Sequence, residues 1–120
     1  MKNVFLHAES LASEFQTRMT TGHVLLSLVI RKGPASDILQ ELGFNENKVR
    51  GYLLEGNIES SNAISKLVQN AEEFAATIKP LGNSEIYLLG AALKMKNSVI
   101  SDVFNKADID FQVAFTKIMQ

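Results

Sequence analysis

The chain has 120 residues, 46% of them apolar and 21% charged, which is the composition of one globular domain. Twelve Lys+Arg stand against thirteen Asp+Glu, a net charge of −1, so there is no basic stripe for nucleic acid and no charged tail. The absence of Cys excludes a disulfide scaffold, a thiolate metal site and a cysteine nucleophile.

Helical spacing of apolar residues begins at once. Val4, Phe5, Ala8, Leu11, Ala12 and Phe15 mark one face of a first helix. Thr20 or Thr21 caps a second, whose run at 24–30 is apolar nearly all round, as in the middle of a bundle. Pro34 suits the first turn of a short third helix carrying Ile38, Leu39 and Leu42, and Gly43 fits just past its end. Asn45 caps a fourth with Val49, Leu53 and Leu54. The segment 55–62 (EGNIESSN) is polar apart from Ile58 and reads as a connector.

The pattern then restarts. Ser60 or Ser61 opens a long helix with Ile64, Leu67, Val68, Ala71, Ala75 and Ile78 on one side, broken by Pro80 and Gly82. Asn83 or Ser84 caps a helix over 85–94. Ser98 opens a short one with Val99, Val103 and Phe104, and Asp108 or Asp110 opens a last one with Phe111, Phe115 and Ile118. Strand alternation and hairpin turns are absent. The expected fold is all-α, with eight helices in two sets of four.

The chain can be laid on itself. The offset that brings Ala8, Glu9 and Ala12 onto Ala71, Glu72 and Ala75 also brings Leu25-Leu26 onto Leu88-Leu89. A slightly longer offset, after an insertion in the second loop, brings Ser36-Asp37-Ile38-Leu39 onto Ser101-Asp102-Val103-Phe104. Apolar columns and caps stay in step over four successive helices. The expected organisation is one domain over 1–120: a four-helix unit at about 1–55, a linker at 56–60 and a second copy at about 61–120, related by a pseudo-twofold axis.

Thr21-Gly22-His23-Val24-Leu25-Leu26-Ser27-Leu28 is similar to a Thr-Glu-His-Ile-Leu-Leu-Gly-Leu signature, and Ser84-Glu85-Ile86-Tyr87-Leu88-Leu89-Gly90-Ala91 is its second copy. With the stretch 36–44 (SDILQELGF), these motifs resemble the Clp amino-terminal (Clp repeat) domain of ClpA/ClpC-type unfoldases and standalone Clp accessory proteins. The resemblance covers essentially the whole chain. It implies an eight-helix double repeat that binds protein partners: substrates or adaptors of an ATP-dependent unfoldase and protease, or the unfoldase itself. It fits the front end of a longer unfoldase or a small accessory protein, and the short first helix and eroded binding signatures lean toward the small, divergent version. The alternative is a helical-repeat scaffold or regulator that kept the fold and lost the Clp partnership.

In the ClpC branch the resemblance also implies phosphoarginine sites, formed by a Thr near the start of each repeat and the Glu of each Thr-Glu-His. Here the first Glu position is Gly22. In the second copy Ser61 falls near the Thr position and Glu85 keeps the Glu, so Ser61 and Glu85 are the candidate pair, a hydroxyl and a carboxylate for a phosphate and a guanidinium. The plainer reading makes them caps at two helix starts.

Catalytic signals are not found. There is no Walker motif and no Gly-x-Gly-x-x-Gly, and His7 and His23 have no partners at ligand spacing. Glu72 and Glu73 diverge by about 100° on a helix and do not share a proton. A non-enzyme with no cofactor and no metal is expected, with protein partners and neither nucleic acid nor membrane. Phe5, Phe15, Phe74 and Phe104 fit the core. Tyr52, Phe111 and Phe115 are candidate partner-facing aromatics, against core packing of the last helix. The apolar positions after Lys2 are interrupted by His7, Glu9 and Glu14, unlike a secretory signal, and the runs at 24–30 and 86–93 fall far short of the roughly 20 residues a spanning helix needs. The expected location is the cytoplasm.

Overall fold

A computed structural model describes residues 2–54, 62–77, 84–95, 98–108, 113–114 and 116, with backbone only at Lys2, Thr77, Ser84 and Glu85. The described residues form helices and no strand: α1 (Lys2–Glu14), α2 (Thr21–Ile30), α3 (Pro34–Glu41), α4 (Glu46–Leu53), α5 (Ala63–Thr77), α6 (Ser84–Leu93) and α7 (Val99–Lys106). Seven helices therefore stand where eight are expected. Of the eighth, only Val113, Ala114 and Thr116 are among the described residues, and their backbone is helical. No helix of the described residues is long and apolar enough to cross a membrane.

Local chemistry explains where the helices begin and end. Thr20 is the N-cap of α2, Asn45 of α4 and Ser98 of α7. The Asn45 side chain accepts the Lys48 N–H at 2.9 Å. Pro34 occupies the first turn of α3, where a missing N–H costs nothing. Helix α3 ends in a Schellman motif: the Gly43 N–H reaches the Gln40 carbonyl and the Phe44 N–H reaches the Leu39 carbonyl, both at 3.0 Å. Gly43 takes the left-handed conformation (φ 100°) that this ending requires. Helix α1 ends the same way, through Gln16 N–H to the Ser13 carbonyl and Thr17 N–H to the Ala12 carbonyl. There the left-handed residue is Gln16, at φ 57°.

Packing is organised around α2. Nine of its ten residues, Thr21 to Val29, are buried, and it touches every other helix described. Helix α1 lies on α2 as α5 lies on α6, and α3 lies on α2 as α7 lies on α6. The halves join by exchange: α7 also packs on α2, α3 also packs on α6, and α2 meets α6 directly. Helix bounds keep the register of the sequence match. The end of α1 at Glu14 corresponds to the end of α5 at Thr77, and both ends of α2, Thr21 and Ile30, correspond at that same offset to Ser84 and Leu93 of α6. At the slightly longer offset both ends of α3, Pro34 and Glu41, correspond to Val99 and Lys106 of α7. Phe74 and Phe104 are in the core as expected, with Phe44, whereas Phe5 and Phe15 are half-buried against it.

Gln16 offers a direct test of the α1 ending. A left-handed conformation costs a non-glycine residue about 1–2 kcal/mol, and glycine returns about half of the relief through its freer unfolded chain. Gln16→Gly is expected to stabilise the fold by about 0.5–1 kcal/mol in urea unfolding, and Gly43→Ala to destabilise it by about 1 kcal/mol.

Candidate functional site

The signature residues gather where α2 begins. The Nδ1 of His23 accepts the Thr20 backbone N–H at 3.0 Å and stands 3.1 Å from Thr20 Oγ1. His23 thus gives the return bond of a capping box, a part usually taken by Glu or Gln. Because Nδ1 accepts, the ring proton is on Nε2. Thr21 is wholly buried, and its Oγ1 accepts the Ile100 N–H at 3.1 Å. That amide lies in the first turn of α7, where N–H groups lack helical partners, so a side chain of one half caps a helix of the other.

Gly22 lies between these two. A Cβ there would overlap the side chain of Leu53 on α4 and come within 2.5 Å of Val99 Cγ1 on α7. The position where the family signature has Glu has no room even for a methyl group. Its place is filled from two sides by apolar side chains.

An aromatic and charged stack covers the same joint. The Phe15 ring meets the His23 ring edge-on at 5.2 Å, and the Arg50 guanidinium lies 5.7 Å from the Phe15 centroid. Arg50 pairs with Glu46 at 2.8 Å along its own helix and with Glu14 on α1 at 3.6 Å. The stack escapes sequence reading, because Phe15, His23 and Arg50 share no helix and no spacing rule relates them.

His7, half-buried on α1, stands 2.9 Å from Ser27 Oγ through Nδ1. Ser27 is completely buried in the middle of α2, so its hydroxyl is closed to solvent. His23 is buried and hydrogen-bonded at the start of α2. Among the described residues no group of three or more His, Asp or Glu is arranged to hold a metal ion.

Of the candidate binding residues, Ser61, Phe111 and Phe115 lie outside the described residues. Glu85 is in the first turn of α6, and its side chain lies outside the description as well. Tyr52 is half-buried on α4 and packs against the core. Among the described residues, the large apolar side chains that do face water are Leu6, Leu54 and Val113. No protein-family model matches this sequence, and no curated protein matches it.

The joint makes two expectations. Alanine at a helical position gains about 1 kcal/mol over glycine, but overpacking costs about 1–3 kcal/mol. Leu53 is half-buried and can turn aside, whereas Val99 is buried and β-branched and cannot. Gly22→Ala is therefore expected to be destabilising by about 1–2 kcal/mol, and Gly22→Glu, which buries a carboxylate as well, by more than about 3 kcal/mol. Thr21→Val removes the partner of a buried N–H while keeping shape, at a cost of about 1–3 kcal/mol. Unfolding free energies of the three variants in urea check these values, and amide exchange at Ile100 should accelerate beyond the loss of global stability in Thr21→Val alone.

Proposed function

We propose that this chain is a protein-interaction domain of the Clp amino-terminal type: a duplicated four-helix unit, without catalysis of its own, that recruits substrates or adaptors to a Clp ATP-dependent unfoldase and protease, or regulates it, in the cytoplasm. The observation that carries this reading is the correspondence of the halves. Helix ends recur in register, and α2 with α7 is matched by α6 with α3. Caps follow the same register. The Leu42 N–H reaches the carbonyls of Ile38 and Gln40, and at the matching place of the second half the Ala107 N–H reaches those of Val103 and Asn105. Gly43 and Asp108, the next residues, both have positive φ. Such agreement supports an eight-helix double repeat about a pseudo-twofold axis, the organisation that the resemblance implies.

The packing at Gly22 limits the phosphoarginine reading to the second copy. Leu53 and Val99 fill the place of the first copy's Glu, so Ser61 and Glu85 are the pair proposed to hold such a group. That same packing favours a second reading, a scaffold that retains the signature for its fold while its Clp partnership is gone.

One binding experiment separates the two. With the purified chain immobilised, a Clp unfoldase hexamer or its peptidase is expected to bind at micromolar concentration. No binding of either would transfer the role to the scaffold reading. Free phosphoarginine, titrated against amide shifts, is expected to move α6 signals near Glu85 and leave those of Thr21 to His23 still. Glu85→Ala should abolish the movement without changing the unfolding free energy in urea by more than about 0.5 kcal/mol.

A further inference from the structure

We propose that His23 is a proton-sensitive latch: neutral, it holds the first turn of α2 closed on α7, and protonated, it releases that turn and opens the joint between the halves. The inference does not rest on any Clp partner. Its basis is geometric. His23 is only 4% exposed, and its Nδ1 lone pair accepts the Thr20 N–H at 3.0 Å. A proton on Nδ1 removes that acceptor. The Thr20 hydroxyl, 3.1 Å from Nδ1, can take the new N–H, but the Thr20 amide is then left facing a donor. The ring also stands in the first turn of α2, at the positive end of the helix dipole, where a cation is disfavoured. Burial acts in the same direction, because it penalises the charged ring.

The charges described near the joint are engaged elsewhere or screened. Helix α1 brings Glu14, and also His7, which meets Ser27 one turn further along α2. Helix α4 brings Arg50 and Glu46, and α7 brings Asp102 in its first turn. Arg50 lies over the Phe15 ring that His23 meets edge-on. Glu14 and Glu46 point to Arg50 and are exposed, so water screens them from the imidazole. Asp102, half-buried, complements the dipole of its own helix. The charged side chains described on α3 and α5 are exposed, and of Glu85 on α6 the backbone alone is described. The latch acts on the joint because its neighbours in sequence form that joint. Thr21 caps α7 through Ile100, and Gly22 lies against Leu53 and Val99. A charged ring reaches water by drawing the turn it belongs to away from those contacts. Above about pH 6.5, the ordinary histidine value, folded and unfolded chains are both neutral here and the Thr20 bond contributes in full. Below it the unfolded chain takes up a proton that the folded chain resists, so stability falls with pH until the folded ring charges as well.

The test uses the full chain beside His23→Gln, which keeps a capping acceptor that does not titrate. His7 is common to both chains and cancels from the comparison. Between about pH 7.5 and about pH 5 the unfolding equilibrium constant in urea is expected to rise about tenfold more in the unchanged chain than in the variant. Imidazole 15N shifts of the unchanged chain need no variant: at about pH 6, where a free histidine is mostly charged, the His23 ring should still be neutral with its proton on Nε2. As the ring charges, amide exchange at Ile100, corrected for its intrinsic pH dependence, should accelerate at least about tenfold beyond what global unfolding accounts for, while the Leu89 amide of α6 follows global unfolding alone. If the variant does not fold, the ring shifts and the Ile100 exchange of the unchanged chain decide. Any of three results overturns the proposal: a ring that is charged above about pH 6.5 in the folded chain, an equal pH dependence in the two chains, or Ile100 exchange that tracks global unfolding throughout.

Discussion

Helix α2 has to be kept from water on nearly every side, and the arrangement of the other helices follows from that. Its sequence, TGHVLLSLVI, has no polar face wide enough to lie at a surface. Helices α1, α3 and α4 approach from its own half, and α5, α6 and α7 complete the enclosure. Leu25, Leu26 and Leu28 are each no more than 1% exposed. Truncating one such leucine costs of order 2–5 kcal/mol, a large part of the roughly 5–15 kcal/mol by which a domain is typically stable. No other helix among those described is enclosed by so many neighbours, so an error in seating α2 is felt throughout the molecule.

The two halves meet the same packing demand with different chemistry. Where α1 crosses α2, Leu11 lies in the core, and Ser27 on the facing helix is bonded to His7. At the matching crossing of α5 and α6, Phe74 stands in the place of Leu11 and Gly90 in the place of Ser27. A Cβ at Gly90 would lie 2.7–3.0 Å from three atoms of the Phe74 ring. The larger ring on one helix is matched by the missing side chain on the other, a volume-conserving change of the kind cores tolerate best. The hydrogen bond also disappears: the place of His7 is taken by Asn70, whose side chain instead reaches Met95 Sδ at 3.5 Å. Lys94 covers the Phe74 ring at 5.5 Å. Paired change of this sort keeps the helix crossing while the side chains that fill it differ between the halves.

Much of this is legible along the chain because its causes are local. Pro34, Gly43, Asn45 and Ser98 mark helix ends by φ preference and hydrogen-bonding capacity, and the structure uses each one so. The end of α1 is not legible: its left-handed residue is Gln16, with no glycine to announce it. The Arg50, Phe15 and His23 stack is hidden for another reason, since it needs the fold to bring Arg50 of α4 to the end of α1. His23 is partly hidden too. Its burial follows from the apolar run beside it, but its bond to the Thr20 N–H requires the ring to fold back over the helix start. Of the candidate binding residues, Tyr52 is placed against the core, while Ser61, Phe111 and Phe115 lie outside the described residues.

Gly22 joins these themes. Beside a family signature, a glycine in place of Glu reads as the loss of a binding group. At the α2 joint it is also what lets Leu53 and Val99 close on the helix start. A carboxylate at this position needs water or a cationic partner, and the space that would hold either is occupied by two apolar side chains. At Gly22 the absence of a carboxylate and the closure of the joint are one structural fact. Thr21 and His23, which keep the signature, are held by the same joint: one caps a helix of the other half and the other caps its own. Residues can therefore preserve a family motif because the architecture needs them, whatever the ligand. Under the proposed interaction role, the partner would be met by side chains that face outward, and those are drawn from positions where the motif says nothing.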